Sequence, residues 1–259
     1  GLTKVLSIFR GRELDHKYLL EKVLRSGDTI LDLGSNIGYY VALENNILNG
    51  NATFYCIEPD PRNITYLEKN LKLHNINQRA EVTLGAISDF DGDISFNFDE
   101  LTNLNSVEFQ HGSNKNTSSV PCHDILSYLK SRNPVDVIRM DIEGHELVVL
   151  KRLAEGVLSQ VVKAPRIIIF ETHQYKDVEK AAEILKILVT CGYEFSYVTS
   201  DDELSMDGAS FRRRGLLPDK VIHELTVSRG IYSDLKESLA VDIVSNWKGS
   251  RTVCLSLKK

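Results

Sequence analysis

Apolar and polar positions along this 259-residue chain follow two alternating periods. From Arg12 to Arg25, Leu14, Tyr18, Leu19, Val23 and Leu24 recur near a helical spacing, and Ser26-Gly27-Asp28 stops the run. Thr29 to Leu33 predicts a short buried strand, and Ile37 to Leu48 a helix closed by Asn49-Gly50-Asn51. Thr53 to Ile57 predicts a second strand, which leads through Glu58-Pro59-Asp60-Pro61 into a helix over Asn63 to His74. Strand, helix, strand, helix in succession is the pattern of a parallel sheet covered by helices.

The same rhythm continues with more irregularity. Ala80 to Ile87 predicts a third strand, closed by Ser88-Asp89-Phe90-Asp91-Gly92, and Ile94 to Phe98 alternates as a half-exposed strand does. Gly112 to Ser119 is polar and reads as a mobile turn, and Cys122 to Lys130 as a short helix. Val135 to Ile142 predicts a strand, His145 to Val157 a helix with Leu147, Leu150 and Leu153 inward, and Arg166 to Phe170 a buried strand. Val178 to Thr190 (helix), Tyr193 to Val198 (strand) and Thr252 to Leu257 (last strand) complete the series. Residues 201–250 break it with charged, mixed segments, and a stretch of that size reads as an insertion or lid. No repeat or linker divides the chain, so residues 1–259 read as one domain with an N-terminal helical segment over 1–27.

Charge and cysteine usage narrow the function classes. A formal net charge of -5 and a pI near 5.8 leave no broad basic face on which nucleic-acid affinity would rest. Arg212-Arg213-Arg214 is the one dense basic cluster, a solvated loop or an anion contact. Cys56, Cys122, Cys191 and Cys254 form no CxxC pair, which fits buried thiols in a reducing compartment better than disulfides or zinc. No stretch approaches the roughly 20 apolar residues of a membrane span, and no signal-peptide pattern is visible. The expectation is a soluble cytoplasmic protein with no membrane partner.

Candidate chemistry begins at Asp32-Leu33-Gly34-Ser35-Asn36-Ile37-Gly38, directly after the first strand. A dinucleotide fingerprint places a glycine where Asn36 stands, so that the backbone can approach a pyrophosphate, and no GxxxxGK[ST] loop occurs. A ligand without phosphates fits better: an adenosine joined through a sulfonium to an amino acid, as in S-adenosylmethionine. Asp32 would accept from its ammonium, Gly34 and Gly38 would keep the turn clear, and the following amides would face its carboxylate. Glu58, at the tip of the second strand, would take both ribose hydroxyls. Ser88 and Asp89 would meet the adenine edge, although Asp89 is equally well explained as a turn residue.

The densest polar constellation is Arg139-Met140-Asp141-Ile142-Glu143-Gly144-His145-Glu146, followed one strand later by Glu171-Thr172-His173. In an extended segment Asp141, Glu143 and His145 would share one side, and both groups would converge on the crevice at the strands' C-terminal ends. Three readings stand side by side. His145 or His173, tuned by a carboxylate, is a general base for methyl transfer; or Asp141, Glu143, Glu171 and a histidine hold a divalent cation; or the acids merely serve a helix N-terminus. No metal ligand set is assigned.

The segments TILDLGSNIGYY, FYCIEPDPRNITYLEKNLKLH, GAISDFDG and VDVIRMDIEGHELVVLKRL together resemble the FkbM-type methyltransferases over roughly residues 25–175. The resemblance implies a class I, Rossmann-like, doubly wound and mostly parallel seven-stranded sheet with a reversed last strand and helices on both faces. It also implies S-adenosylmethionine as donor, O-methylation as the usual reaction, and a small molecule or sugar as acceptor. By position, Asp32, Gly34, Ser35, Asn36 and Gly38 match the donor turn, Glu58 the ribose ligand, Asp141 the acid beside the methyl group, and Glu171 and His173 the family's Glu-x-His. A non-catalytic nucleotide-binding module and an NAD-dependent oxidoreductase are the competing classes.

Overall fold

The computed structural model describes residues 13–97, 106–107, 117–173, 175–205, 209–224, 227–246 and 249–258. The expectations that reach residues 1–12, Phe98 and residues 112–116 lie there outside the described residues.

Helix α1 (Leu14–Val23) leads to strand β1 (Thr29–Leu33), α2 (Tyr39–Ile47), β2 (Thr53–Glu58), α3 (Pro61–Leu73) and β3 (Ala80–Leu84). Asp60 caps α3 by accepting from the Arg62 amide at 2.8 Å, and Pro61 occupies the first helical position, where its missing N–H costs nothing. The helix therefore starts ahead of Asn63. The third expected strand is two: β4 (Ala86–Ser88) leaves the main sheet after Gly85, where a Cβ would stand 2.8 Å from the Pro121 carbonyl oxygen.

A smaller four-stranded sheet follows, made of β4, β5 (Gly92–Asn97), β6 (Ser106–Val107) and β7 (Thr117–Asp124). Thr117 to Ser119 were expected in a mobile turn and Cys122 to Asp124 in a helix; both belong to β7, because Ile94 and Phe96 on β5 bury against Val120 and Cys122. Asp124 then caps α4 (Ile125–Lys130) through the Leu126 amide at 2.9 Å. The chain continues through β8 (Val137–Met140), α5 (Glu146–Leu158), β9 (Ile167–Glu171), α6 (Val178–Thr190) and β10 (Tyr193–Ser200). It ends with α7 (Ala209–Arg213), β11 (Lys220–His223), β12 (Ser228–Ser233), α8 (Glu237–Ser245) and β13 (Ser250–Leu257).

The main sheet has the order β11-β12-β10-β13-β9-β8-β1-β2-β3. Strands β3, β2, β1, β8 and β9 are parallel, and β13 inserts antiparallel between β9 and β10. This is the expected seven-stranded arrangement with its reversed last strand, extended by two further strands to nine. Residues 201–250, read as an insertion or lid, carry the two strands that extend the sheet. Strand β12 pairs with β10, β11 pairs with β12, and α8 buries Ala240, Val241, Ile243 and Val244 in the same core as Ile184, Leu185 and Leu188 of α6.

Strand residues alternate between two cores, as a sheet covered on both faces requires. Ile30, Phe54, Cys56, Val137, Ile169 and Cys254 pack with Leu20, Val41 and Leu67 of α1, α2 and α3. Leu31, Ile57, Ile138, Ile168, Phe170 and Val253 pack with α4, α5, α6 and α8. All four cysteines are free thiols, three of them buried. Among the described residues no helix is long and apolar enough to cross a membrane.

Candidate active site

Between β1 and β8 the order of the sheet reverses: the chain winds from β1 to β2 and β3 on one side and from β8 to β9 on the other. Ligands of open α/β sheets bind outside the carboxyl ends of the strands at such a switch point. Asp32 to Gly38 leave β1 there and Asp141 leaves β8 beside them.

The first turn is held by β2. The amides of Gly34 and Ser35 both donate to the Ile57 carbonyl at 3.0 Å, and Ser35 Oγ donates to the Asp32 carbonyl at 3.0 Å. Gly34 has a φ of 77°, and a Cβ there would collide with the main-chain oxygen of Asp141. Only glycine lets the two strand ends come together. Asn36 also takes a left-handed conformation, φ 49°, its side-chain oxygen accepting from the Ile37 amide at 2.8 Å. Gly38, φ 83°, precedes α2, whose first turn carries no acid, and a Cβ on it would stand 2.7 Å from Leu67 Cδ1.

Glu58 closes against this turn. Its Oε2 accepts from the Asn36 amide at 2.8 Å, and its Oε1 from the Asp60 amide at 2.9 Å and Asn63 Nδ2 at 3.1 Å. Burial pushes its carboxyl up to about 7, even though these donors favour the charged form.

Asp32 has a partner that sequence reasoning missed. Arg139, in the middle of β8, stands opposite Asp32 in the parallel register and donates to its Oδ1 at 2.8 Å. The same guanidinium lies 3.4 Å from Asp141 Oδ2 and 3.6 Å from the Tyr40 ring. Asp32 Oδ2 is buried without a hydrogen-bond partner, so one oxygen is left to accept from a ligand. An arginine in an otherwise apolar strand, level with an aspartate in the next strand, was the available signal.

Ser88 and Asp89 end β4 beside α5. Ser88 Oγ lies 3.0 Å from His145 Nε2 and 3.1 Å from Asp89 Oδ1. This places His145 with the expected adenine residues. The extended reading of residues 141–145 fails because Glu143 (φ 54°) and Gly144 (φ 93°) are both left-handed, which destroys the alternation. His145 is buried, and burial lowers its ring to about 4 despite Asp89, so it is neutral at neutral pH.

Asp141, Glu143, Glu171 and His173 lie within electrostatic reach of one another. Burial and the charge of Asp141 push Glu171 up to about 8, although Arg251 at the start of β13 forms an ion pair with it. Burial, again with Asp141, pushes Glu143 up to about 7. For His173 burial works downward, but Glu146, Glu171 and Glu143 outweigh it and raise the ring to about 9. Its Nε2 lies 3.4 Å from Oε1 of the fully buried Glu146, an ion pair without hydrogen-bond alignment. Glu146 Oε1 also accepts from the Ile142 amide at 2.9 Å, which ties α5 back to the turn. Among the described residues no group of three or more His, Cys, Asp or Glu could hold a metal ion.

Arg251 extends the crevice wall to the N-terminal helix, since it also lies 3.6 Å from Glu13, to which the Tyr40 hydroxyl donates. Sequence reasoning missed Glu13, Tyr40 and Arg251 because they come from three distant segments.

A doubly wound sheet with a reversed strand and a glycine turn at its switch point defines the Rossmann-like class of methyltransferase domains. Residues 32–195 match the methyltransferase FkbM domain, and the chain belongs to that family. It is 25% identical over 180 residues to the hexuronic acid methyltransferase AglP of Haloferax volcanii, covering 68% of each chain. The crystal structure of methyltransferase FkbM from Methylobacillus flagellatus is similar over 64% of this chain and 39% of that one, at 20% identity and a TM-score of 0.46. The chain thus spans about two-fifths of that structure's length. The precorrin-6y C5,15-methyltransferase of Geobacter metallireducens is similar over 95% of this chain and 88% of that one, at 10% identity and a TM-score of 0.46.

Proposed function

We propose that this protein transfers a methyl group from S-adenosylmethionine to a hydroxyl of a sugar. The observation that carries the donor assignment is Asp32 Oδ2 at the switch point, a buried carboxylate oxygen left without a hydrogen-bond partner. The donor set fits that ligand. Glu58 would accept from the ribose diol, the amides at the start of α2 would meet the amino acid's carboxylate, and Asp32 Oδ2 would accept from its ammonium. Ser88 and Asp89 would meet the adenine edge, and Asp141 would lie beside the sulfonium.

When bound, this group supplies a methyl carbon already activated for displacement. The chain's own work is to place the acceptor oxygen in line and to remove its proton. The two histidines are poor bases here: His173 already holds its proton at neutral pH, and His145 faces Ser88. Glu171 and Glu143, raised to about 8 and about 7, have a basicity suited to accepting a proton near neutrality. We therefore assign the base to this carboxylate pair, with His173 as a fixed positive charge between them and Glu146.

A sugar acceptor is supported by the hexuronic acid methyltransferase of Haloferax volcanii, 25% identical to this chain. The direct test incubates the protein with S-adenosylmethionine and neutral or acidic hexoses and measures S-adenosylhomocysteine and methylated sugar. Binding of NAD in place of S-adenosylhomocysteine would sink the reading. Donor binding without turnover on any hydroxyl compound would favour a regulatory module.

A further inference from the structure

Arg139 is 2% exposed and sits under the crevice among carboxylates from three elements. Asp32 of β1, itself fully buried, accepts from it at 2.8 Å, and Asp141 at the end of β8 lies 3.4 Å away. Glu44 of α2 is fully buried, and neither of its carboxylate oxygens has a hydrogen-bond partner. Its carboxyl is raised well above the usual range by burial and by the nearby charge of Asp32, with Arg139 pulling the other way. The Tyr40 ring covers the guanidinium at 3.6 Å, the His16 ring of α1 lies tilted against Tyr40, and Cys56 of β2 lies beside Asp32. Burial disfavours the charge on Arg139, but Asp32 and Asp141 outweigh it and hold the guanidinium positive.

The balance of charge in this pocket is informative. A buried carboxylate without a counterion would take up a proton or swing toward water, and either would end its service to a cationic ligand. Glu44 is placed to follow the first course, with no donor reaching it. Asp32 instead accepts at Oδ1 from one nitrogen of a rigid, always charged fork. The stacked Tyr40 and the parallel register of β1 and β8 fix that fork, so Asp32 Oδ1 is bound inward and Oδ2 is the remaining oxygen.

We propose that Arg139 is a positioning residue: it fixes the Asp32 carboxylate through Oδ1, leaving Oδ2 for the ammonium of the donor's amino-acid end, and steadies Asp141 beside the sulfonium. This inference rests on the donor assignment above. It makes donor recognition at the amino-acid end depend on a residue that never touches the ligand, while the nucleoside end, held by Glu58, is independent of it.

Two ligands separate the ends. S-adenosylhomocysteine carries the amino acid; methylthioadenosine lacks it. By calorimetry, Arg139→Gln is expected to weaken S-adenosylhomocysteine by about tenfold to a hundredfold, the range of one charge-assisted hydrogen bond. Methylthioadenosine is expected to bind Arg139→Gln and the wild type alike. Arg139→Lys, which keeps the charge, is expected to recover most of the lost affinity. Because a lone buried Asp32 could unfold Arg139→Gln, the neutral pair Asp32→Asn with Arg139→Gln is the second variant, expected to fold and to show the same selective loss. Equal weakening of both ligands, or no weakening in the neutral pair, would overturn the proposal. A wild-type chain that bound neither ligand would overturn the donor assignment, and this inference with it.

Discussion

A side chain on Gly34 would occupy the place of the Asp141 main-chain oxygen, so the ends of β1 and β8 meet closely only because residue 34 has none. Gly34→Ala is therefore expected to open the switch point. The left-handed conformation alone costs about 1–2 kcal/mol for an L-residue, and the collision with fixed backbone adds to it. Thermal denaturation should show a lowered midpoint, and calorimetry the loss of S-adenosylhomocysteine binding.

Glu58 supplies a pH signature. With its carboxyl at about 7 in the free protein, hydrogen bonds from the ribose diol would favour the ionised form and release a proton on binding. Donor affinity should rise as pH increases from 6 toward 8, by at most about tenfold per pH unit below 7 and little above. Calorimetry in buffers of different ionisation enthalpy would count the proton. Glu58→Gln should bind weakly with no such slope; a slope unchanged in that variant would remove Glu58 from the ribose.

For His173 the linkage has the opposite use. Its folded value near 9 lies above the ordinary value of 6.5, so its pairing with Glu146 adds stability that is complete below 6.5 and lost as pH rises through about 9. The gap in melting temperature between the wild type and His173→Gln should be widest at or below pH 6.5 and narrow by pH 9.5. Turnover in His173→Gln should fall far less than the loss of a base would cause.

The base assignment predicts a different pattern for the carboxylates. With a neutral hydroxyl acceptor, the rate should increase with pH through 7 to 8 and level off as Glu143 and Glu171 ionise. Glu171→Gln or Glu143→Gln should lower kcat by on the order of a hundredfold or more for whichever carboxylate takes the proton, with donor affinity little changed. If both variants kept wild-type kcat, proton removal would have to be assigned elsewhere.

Local pattern carried much of the architecture. Thr29–Leu33 and Val178–Thr190 lie where their hydrophobic spacing places them, because a period of two or of 3.6 is a property of neighbouring residues. Gly34, Asn36 and Gly38 were also legible, since a turn needing left-handed backbone selects its own residues. Where periodicity weakens, so did the reading. Strand β7 pairs with β5 across a segment of low local contrast, and β11 and β12 gain their place only by adding to the edge at β10.

By itself the sequence determined the order of strands and helices from α1 to β3 and from β8 to β10, the turn after β1, and the set of acids that leaves β8 and β9. Tertiary structure decided which of those groups meet. Asp32 faces Arg139 through strand register, His145 turns to Ser88 because two left-handed residues interrupt the chain, and Arg251 reaches Glu171 from the reversed last strand. Each of these is a contact between distant segments. Its charge state follows from burial and counterions, which exist only once the segments have packed.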